Sequence, residues 1–234
     1  MPERRWRERL ARPRLRTLLL LSYLIVLALP LAGLWFLRLY ESALIRQTES
    51  ELVAQAAVLS GAWRAARGIV APDGSAGLPA TSLDRMRRAG LDLARDPVLP
   101  PAPDPRPGRP ATSVAVTTGE RLAPVLRDVQ PVTLAAMRVL DADGTVVATT
   151  GNDLGQSLAA HEEVAGARRG VPTNVLRRRE RRAEAVPGGF SRTAGLRVHV
   201  ALPVMVDGRV DAVILLSRTP ASVTDTRWQA SCRT

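Results

Sequence analysis

The chain has 234 residues and a formal net charge of +11, and all 33 of its basic residues are arginine. That length accommodates one ordinary domain with attachments. Residues 1–16 hold seven of the arginines against two glutamates, aromatic residues make up 3% of the chain, and no base-reading motif is present, so the charge does not point to nucleic acid. The single cysteine, Cys232, excludes an intramolecular disulfide and a cysteine-based metal centre. The lack of lysine is the mark of a GC-rich coding bias rather than of a chemistry.

Residues 1–16 are read as a basic cytoplasmic tail. Thr17 to Leu37 is a run of 21 residues without a charge, bounded by Arg16 and Arg38. At ~1.5 Å per residue such a helix covers the ~30 Å hydrocarbon core of a bilayer. Trp35, Phe36 and Tyr40 at one end fit an interfacial aromatic belt, and Pro30 is tolerable within a membrane helix. Arginines crowd the side before the span, while only Arg38 and Arg46 follow closely, so the N-terminus is expected in the cytoplasm. The alternative is a cleavable signal peptide, whose apolar region is usually ~7–15 residues and ends at a small-residue site. The longer run here, with no such site, favours an uncleaved single-pass anchor in the inner (cytoplasmic) membrane, with residues 38–220 extracytoplasmic.

From Leu39 to Arg67 the pattern is helical. Ile45, Leu52 and Leu59 recur every seven residues beside Ala56 and Trp63, and Gly68 can close the helix. One face is expected on the protein's own domain and another on a second copy, giving a homodimer. Residues 71–80 read as a loop and Thr81–Ala94 as a short helix. Residues 96–113 form a Pro-rich loop, with seven prolines between Asp96 and Pro110. A helix is expected from Thr118 to about Asp128. Ala136–Leu140 and Thr145–Thr150 make a hairpin about Asp141–Gly144. A short helix over Glu162–Arg169 stops at Gly170, and Val175–Arg182 is a basic strand. Leu196–Val206 has Val198, Val200, Leu202, Val204 and Val206 on one face, turns at Asp207-Gly208, and returns as Val210–Ser217. Residues 221–234 form an irregular tail. This order predicts an α+β fold, in which the membrane helix continues into a long helix packed on an antiparallel sheet of about five strands.

Three segments, MRVLDADGTVVATTGNDLGQSL, EEVAGARRG and VHVALPVMVDGRVDAVILLSRTP, carry a resemblance. Together they resemble the extracytoplasmic PAS-like (Cache-type) input region of bacterial two-component sensor histidine kinases. The shared order is a strand, D-x-D-G, a second strand, a small helix ending in glycine, and a hairpin ending near L-S-R-T-P, behind one membrane helix. The resemblance implies a PAS-like sheet and a small-molecule or envelope signal as ligand. In the full-length family it further implies ATP and Mg in a kinase core and a response regulator as partner. Chemoreceptors and cyclic-dinucleotide enzymes use similar input domains. The family pattern continues into a second membrane helix and a kinase core, whereas no such segments follow before Thr234, so a truncated, frameshifted or deliberately cut product is expected. The alternative is a complete single-pass envelope protein with a structural or partner-binding role.

Catalytic residues and metal ligands are not evident: there is no nucleophile–base pair, phosphate loop or paired catalytic carboxylates. His161 precedes Glu162 and Glu163, but the residues that follow do not continue a phospho-acceptor box. The glutamates instead suit the first turn of a helix. Asp141 and Asp143 are explained by turn chemistry. The candidate ligand residues are Arg177 and Arg179, which period two places on one side of a strand, and His199, which opposes the valine face. The arginines could meet a carboxylate, a phosphate or lipid headgroups, and His199 could respond to pH.

Overall fold

The computed structural model describes residues 15–69, 86, 90–93, 95–179 and 195–220. The chain divides into two compact units, Met1–Tyr40 and Glu41–Thr234. Helix α1 (Leu15–Ala66) contributes to both. In the first unit it carries the apolar run, with side chains such as Tyr23, Leu29 and Phe36 exposed, and it accommodates Pro30. This helix is apolar and long enough to be either a membrane span or a signal sequence.

In the second unit, α1 presents the heptad stripe to the protein's own core. Ile45, Leu52, Ala56, Leu59 and Trp63 are each at most 5% exposed. The stripe is therefore the face that meets the protein's own domain. The helix closes at Gly68, whose φ of +73° is one that side chains rarely adopt. Arg121 Nη1 donates to the Ala66 carbonyl at 3.0 Å, satisfying an end that lacks an intrahelical partner.

Two short strands follow, β1 (Val98–Leu99) and β2 (Arg106–Pro107). Helix α2 (Ser113–Thr133) starts five residues before the expected Thr118, because Thr112 Oγ1 caps it by accepting from Ala115 N–H. It continues past Asp128 to Thr133 and ends at Leu134 in the left-handed region, whose N–H donates to the Gln130 carbonyl. Then come β3 (Ala136–Asp141), β4 (Val146–Thr149), β5 (Gln156–Ser157), α3 (Glu162–Arg168), β6 (Thr173–Arg178), β7 (Leu196–Val206) and β8 (Arg209–Arg218).

The main sheet has six strands in the order β1-β6-β7-β8-β3-β4. It is mixed rather than wholly antiparallel, because β1 pairs parallel with β6 at the edge while the other pairs are antiparallel. The Pro-rich segment is therefore not a free loop. It supplies β1 to the main sheet and β2 to a second, two-stranded sheet with β5. The β7–β8 hairpin turns at Asp207 and Gly208, which both have positive φ (49° and 74°), as a two-residue turn matched to strand twist requires. At the β3–β4 turn, Asp141 Oδ1 accepts from the N–H groups of Asp143 and Thr145.

The core lies on both faces of the sheet. One cluster joins the α1 stripe and Leu122 and Leu126 of α2 to Met137, Val139, Val198, Val200, Leu202 and Ile214. The other packs Val164 and Ala167 of α3 and Leu158 against Leu140, Ala201, Val213 and Leu215. Of the five valine-face residues expected in β7, four are buried and Val206 is half-buried. The central strands thus read as near-continuous apolar runs rather than as a simple alternation. Pro203 sits beyond Ala201, where pairing with β6 ends, so its missing N–H falls on an unpaired edge. The loop 71–80, the tail 221–234, most of the N-terminal tail and most of the expected helix over Thr81–Ala94 lie outside the described residues; of that helix Met86 is helical, whereas residues 90–93 are not, so it does not reach Ala94.

Candidate functional site

On the α3 face of the sheet, one carboxylate gathers three basic side chains. Glu163 in the first turn of α3 is fully buried. Arg177 of β6 reaches it with Nη2 2.7 Å from Oε2 and with Nε 3.2 Å from both oxygens. The Arg177 side chain is 5% exposed, so this is a buried, forked ion pair. His199 of β7 places Nδ1 3.2 Å from Glu163 Oε1, off hydrogen-bond alignment. His161, immediately before α3, places Nδ1 3.7 Å from the same oxygen.

Strand register explains the meeting. Val175 pairs with His199 and Arg177 with Arg197 across β6 and β7, so these four residues share one face. The short helix α3 is laid over that face, and its second residue, Glu163, points into the sheet. Charge complementarity then fixes the helix. Burial raises the pKa of Glu163, but His161, His199 and Arg177 outweigh it and hold the carboxyl far below the ordinary carboxylate range. For His199, burial is the largest influence and favours the neutral ring. Glu163 opposes this and the nearby Arg197 and Arg177 reinforce it, so its pKa lies below the ordinary value.

The cluster also clasps the Pro-rich segment. Arg177 Nη1 donates to the Pro100 carbonyl at 3.2 Å, and His161 Nε2 lies 3.1 Å from the Pro103 carbonyl. Prolines offer carbonyl acceptors but no N–H donors, so side-chain donors hold this segment where ladder bonds cannot.

The structure brings two of the three candidate residues together, Arg177 and His199, through Glu163. Arg179 lies just past β6 and is exposed, with its backbone N–H bonded to the Gly195 carbonyl. Arg181 and Arg182 lie outside the described residues. Sequence reading placed Glu163 only as a favourable charge in a helix turn and His161 only as the residue before it. Their joint burial has no local signal, since it depends on where α3 lands.

Two further carboxylates brace α1. Asp211 of β8 accepts from Trp63 Nε1 at 2.8 Å and from Arg67 Nη2 at 2.8 Å. Burial raises its pKa, but Arg67 and Trp63 prevail and hold it below the ordinary carboxylate range. Glu49 is buried and accepts from Leu91 N–H at 2.7 Å and from Asn174 Nδ2, yet burial dominates and keeps its pKa raised. It borders a cavity of ≈ 270 Å³ with Arg46, Ser50, Val53 and Gly90.

Among the described residues there is no group of three side chains suited to a metal ion. The Glu163 cluster is also unsuited to acid–base catalysis, because its ionisable groups are buried against one another rather than facing an open cleft. What it can do is couple protonation to the seating of α3 and the Pro-rich segment. No family model matches the chain, and no curated protein matches it at a significant level.

Proposed function

We propose that the chain is the extracytoplasmic signal-sensing input region of a two-component sensor histidine kinase, anchored in the inner membrane through residues 17–37 with its N-terminus in the cytoplasm. The observation that carries this reading is the arrangement of the quoted segments. Strand β3, the Asp141–Gly144 turn, β4, α3 with Gly170 beyond it, and the β7–β8 hairpin occur in the order of a PAS-like input domain. The closing hairpin lies between β6 and β3 at the centre of the sheet, with α1 on one face and α3 on the other. An apolar helix of membrane-spanning length in front of such a domain fits the same role.

In this reading a small-molecule or envelope signal alters the α3 face, and the sheet shifts against residues Glu41–Ala66 of α1. A signal can shift the equilibrium only by binding one arrangement better than the other. The chain is not itself expected to bind ATP or Mg; those belong to the kinase core of the full-length family, whose response regulator would be the downstream partner. The direct test grafts residues 1–220 onto the second membrane helix and kinase core of a sensor histidine kinase and measures autophosphorylation in membranes. Activity that changes when Glu163→Gln loosens the α3 face supports the role. Activity identical with the input domain intact, altered or deleted removes it.

A further inference from the structure

The α3 face holds more positive charge than its carboxylates neutralise. Arg177 is met by Glu163, and Arg138 by Asp153, whose other oxygen accepts from Thr149 Oγ1 at 2.7 Å. Arg197 is different. It stands opposite Arg177 across β6 and β7 and is half-buried, and its Nε has no acceptor. Arg179, two residues beyond Arg177, continues the same face alongside Gly195. Neither Arg197 nor Arg179 has a carboxylate partner among the described residues. Opposite His199 on β8 lies Ser217, which is 1% exposed and whose Oγ has no hydrogen-bond partner. Among the described residues, one corner of the face therefore gathers two guanidiniums without counter-charge and a buried hydroxyl without a bond. Burial and the neighbouring Arg179 and Arg138 lower the pKa of Arg197.

A partly buried cation beside other cations is costly unless an anion joins it, and a buried hydroxyl left without a partner adds to that cost. Both costs are removed by one small oxyanion. Its oxygens can accept from the forked guanidinium of Arg197 and from the Ser217 hydroxyl, with Arg179 supplying charge at the open side. We propose that Arg197, Arg179 and Ser217 form a binding site for a small oxyanion, a carboxylate or a phosphate, on the α3 face at the end of β6 and β7. The site adjoins the Glu163 cluster without sharing its carboxylate, and it leaves Arg177 with its structural partner. It supplies a ligand class for the sensing role proposed above and rests on that role for its meaning.

The test uses the full chain in detergent at constant pH and ionic strength, with sodium phosphate, sodium succinate and sodium chloride as separate titrants. Thermal unfolding should show a saturable rise in Tm with phosphate or with succinate, and the responding salt identifies the class. Chloride should give none. Arg197→Gln should need roughly ten- to a hundredfold more anion, the loss expected for one charge-assisted hydrogen bond. Arg178→Gln, at the exposed alternate position of β6, should respond as the wild type does. If Arg197→Gln does not fold, Ser217→Ala carries the same comparison. Equal anion responses in these variants and the wild type, or no saturable response to either oxyanion, overturn the site. So does the finding that Glu180→Gln with Glu184→Gln lowers the anion-free Tm and creates an anion response that the wild type lacks, since the counter-charge would then be internal. Anion binding that leaves the grafted kinase unchanged keeps the site and removes the sensing role.

Discussion

Glu163 illustrates how one side chain can set the pH response of a domain. Its folded pKa lies below the ordinary 4.5, so it contributes stability that is present above about pH 4.5 and is lost as pH falls toward the folded value. His199 has a folded pKa below its ordinary 6.5, so the unfolded chain takes up a proton that the folded one refuses. Its contribution is complete above about pH 6.5 and declines as pH falls through that value. Both effects therefore weaken the fold in acid, in two successive windows. Urea unfolding of the full chain should show stability falling in a first window that opens below about pH 6.5 and more steeply in a second that opens below about pH 4.5. His199→Gln should flatten the first window and leave the second; a first window that persists unchanged would refute a buried neutral His199. Removing the counter-charge outright is more severe. Glu163→Ala strands Arg177 in the interior and should cost about 3–5 kcal/mol, whereas an exposed pair such as Arg168 with Asp143 should contribute ~1 kcal/mol or less. These roles were only partly visible in the sequence. Arg177 and His199 stood out by residue type and strand spacing, but their shared partner sits on a different element. No spacing rule connects residue 163 to 177 and 199 before the sheet and helix are placed.

The elements themselves were largely legible wherever a periodic pattern met a specific terminator. The β7–β8 hairpin follows from alternating valines and an Asp-Gly turn, and α1 follows from the heptad stripe that ends at Gly68. The boundaries of α2 were less legible. Its first turn is Ser-Val-Ala-Val, weak in helix propensity, and the helix forms because Thr112 caps it and the core receives Ala115, Leu122 and Leu126. The strands β1 and β2 were invisible because prolines argue against strands, and they survive only as two-residue pairings at sheet edges. Close packing of α2 on β4 depends on Gly119, where a Cβ would overlap the Val147 carbonyl. Gly119→Ala should therefore destabilise the domain by about 1–3 kcal/mol in chemical denaturation, even though alanine is the better helix former. An unchanged midpoint would mean that α2 can lift off β4 freely. At the far end of α1, Asp211→Ala removes the acceptor of both Trp63 and Arg67. The expected cost is about 1–3 kcal/mol, with a change in tryptophan emission as the indole N–H loses its partner.

At the scale of the molecule, the division of the chain at Tyr40 and Glu41 separates an apolar helical segment from a folded domain with its own core on both sheet faces. The apolar run and its flanking charges were readable directly, because bilayer thickness and the distribution of arginine are properties of composition rather than of packing. Reporter fusions test the orientation proposed for it. Alkaline phosphatase joined after residue 220 should be active, and reversing the charge of the arginines at 4, 5, 7 and 9 should reduce that activity. Activity indifferent to the reversal would count against the proposed topology. The sheet order, in contrast, was not readable, since it depends on long-range pairings such as β3 with β8.

The Pro-rich segment clasped by Arg177 and His161 has an experimental consequence. Seven of its fifteen residues between Asp96 and Pro110 carry no amide proton. Hydrogen exchange, which reports most structural openings through amides, is blind at nearly half of this strap. Its detachment should register at its anchors, as faster exchange at Leu176 and Arg177 across from β1, and in new cleavage of the strap by a proline-specific endoprotease. A strap closed to trypsin, because Arg106 and Arg109 each precede a proline, is thus open to the enzyme its prolines define, and limited digestion with a proline-specific endoprotease measures whether the clasp is closed.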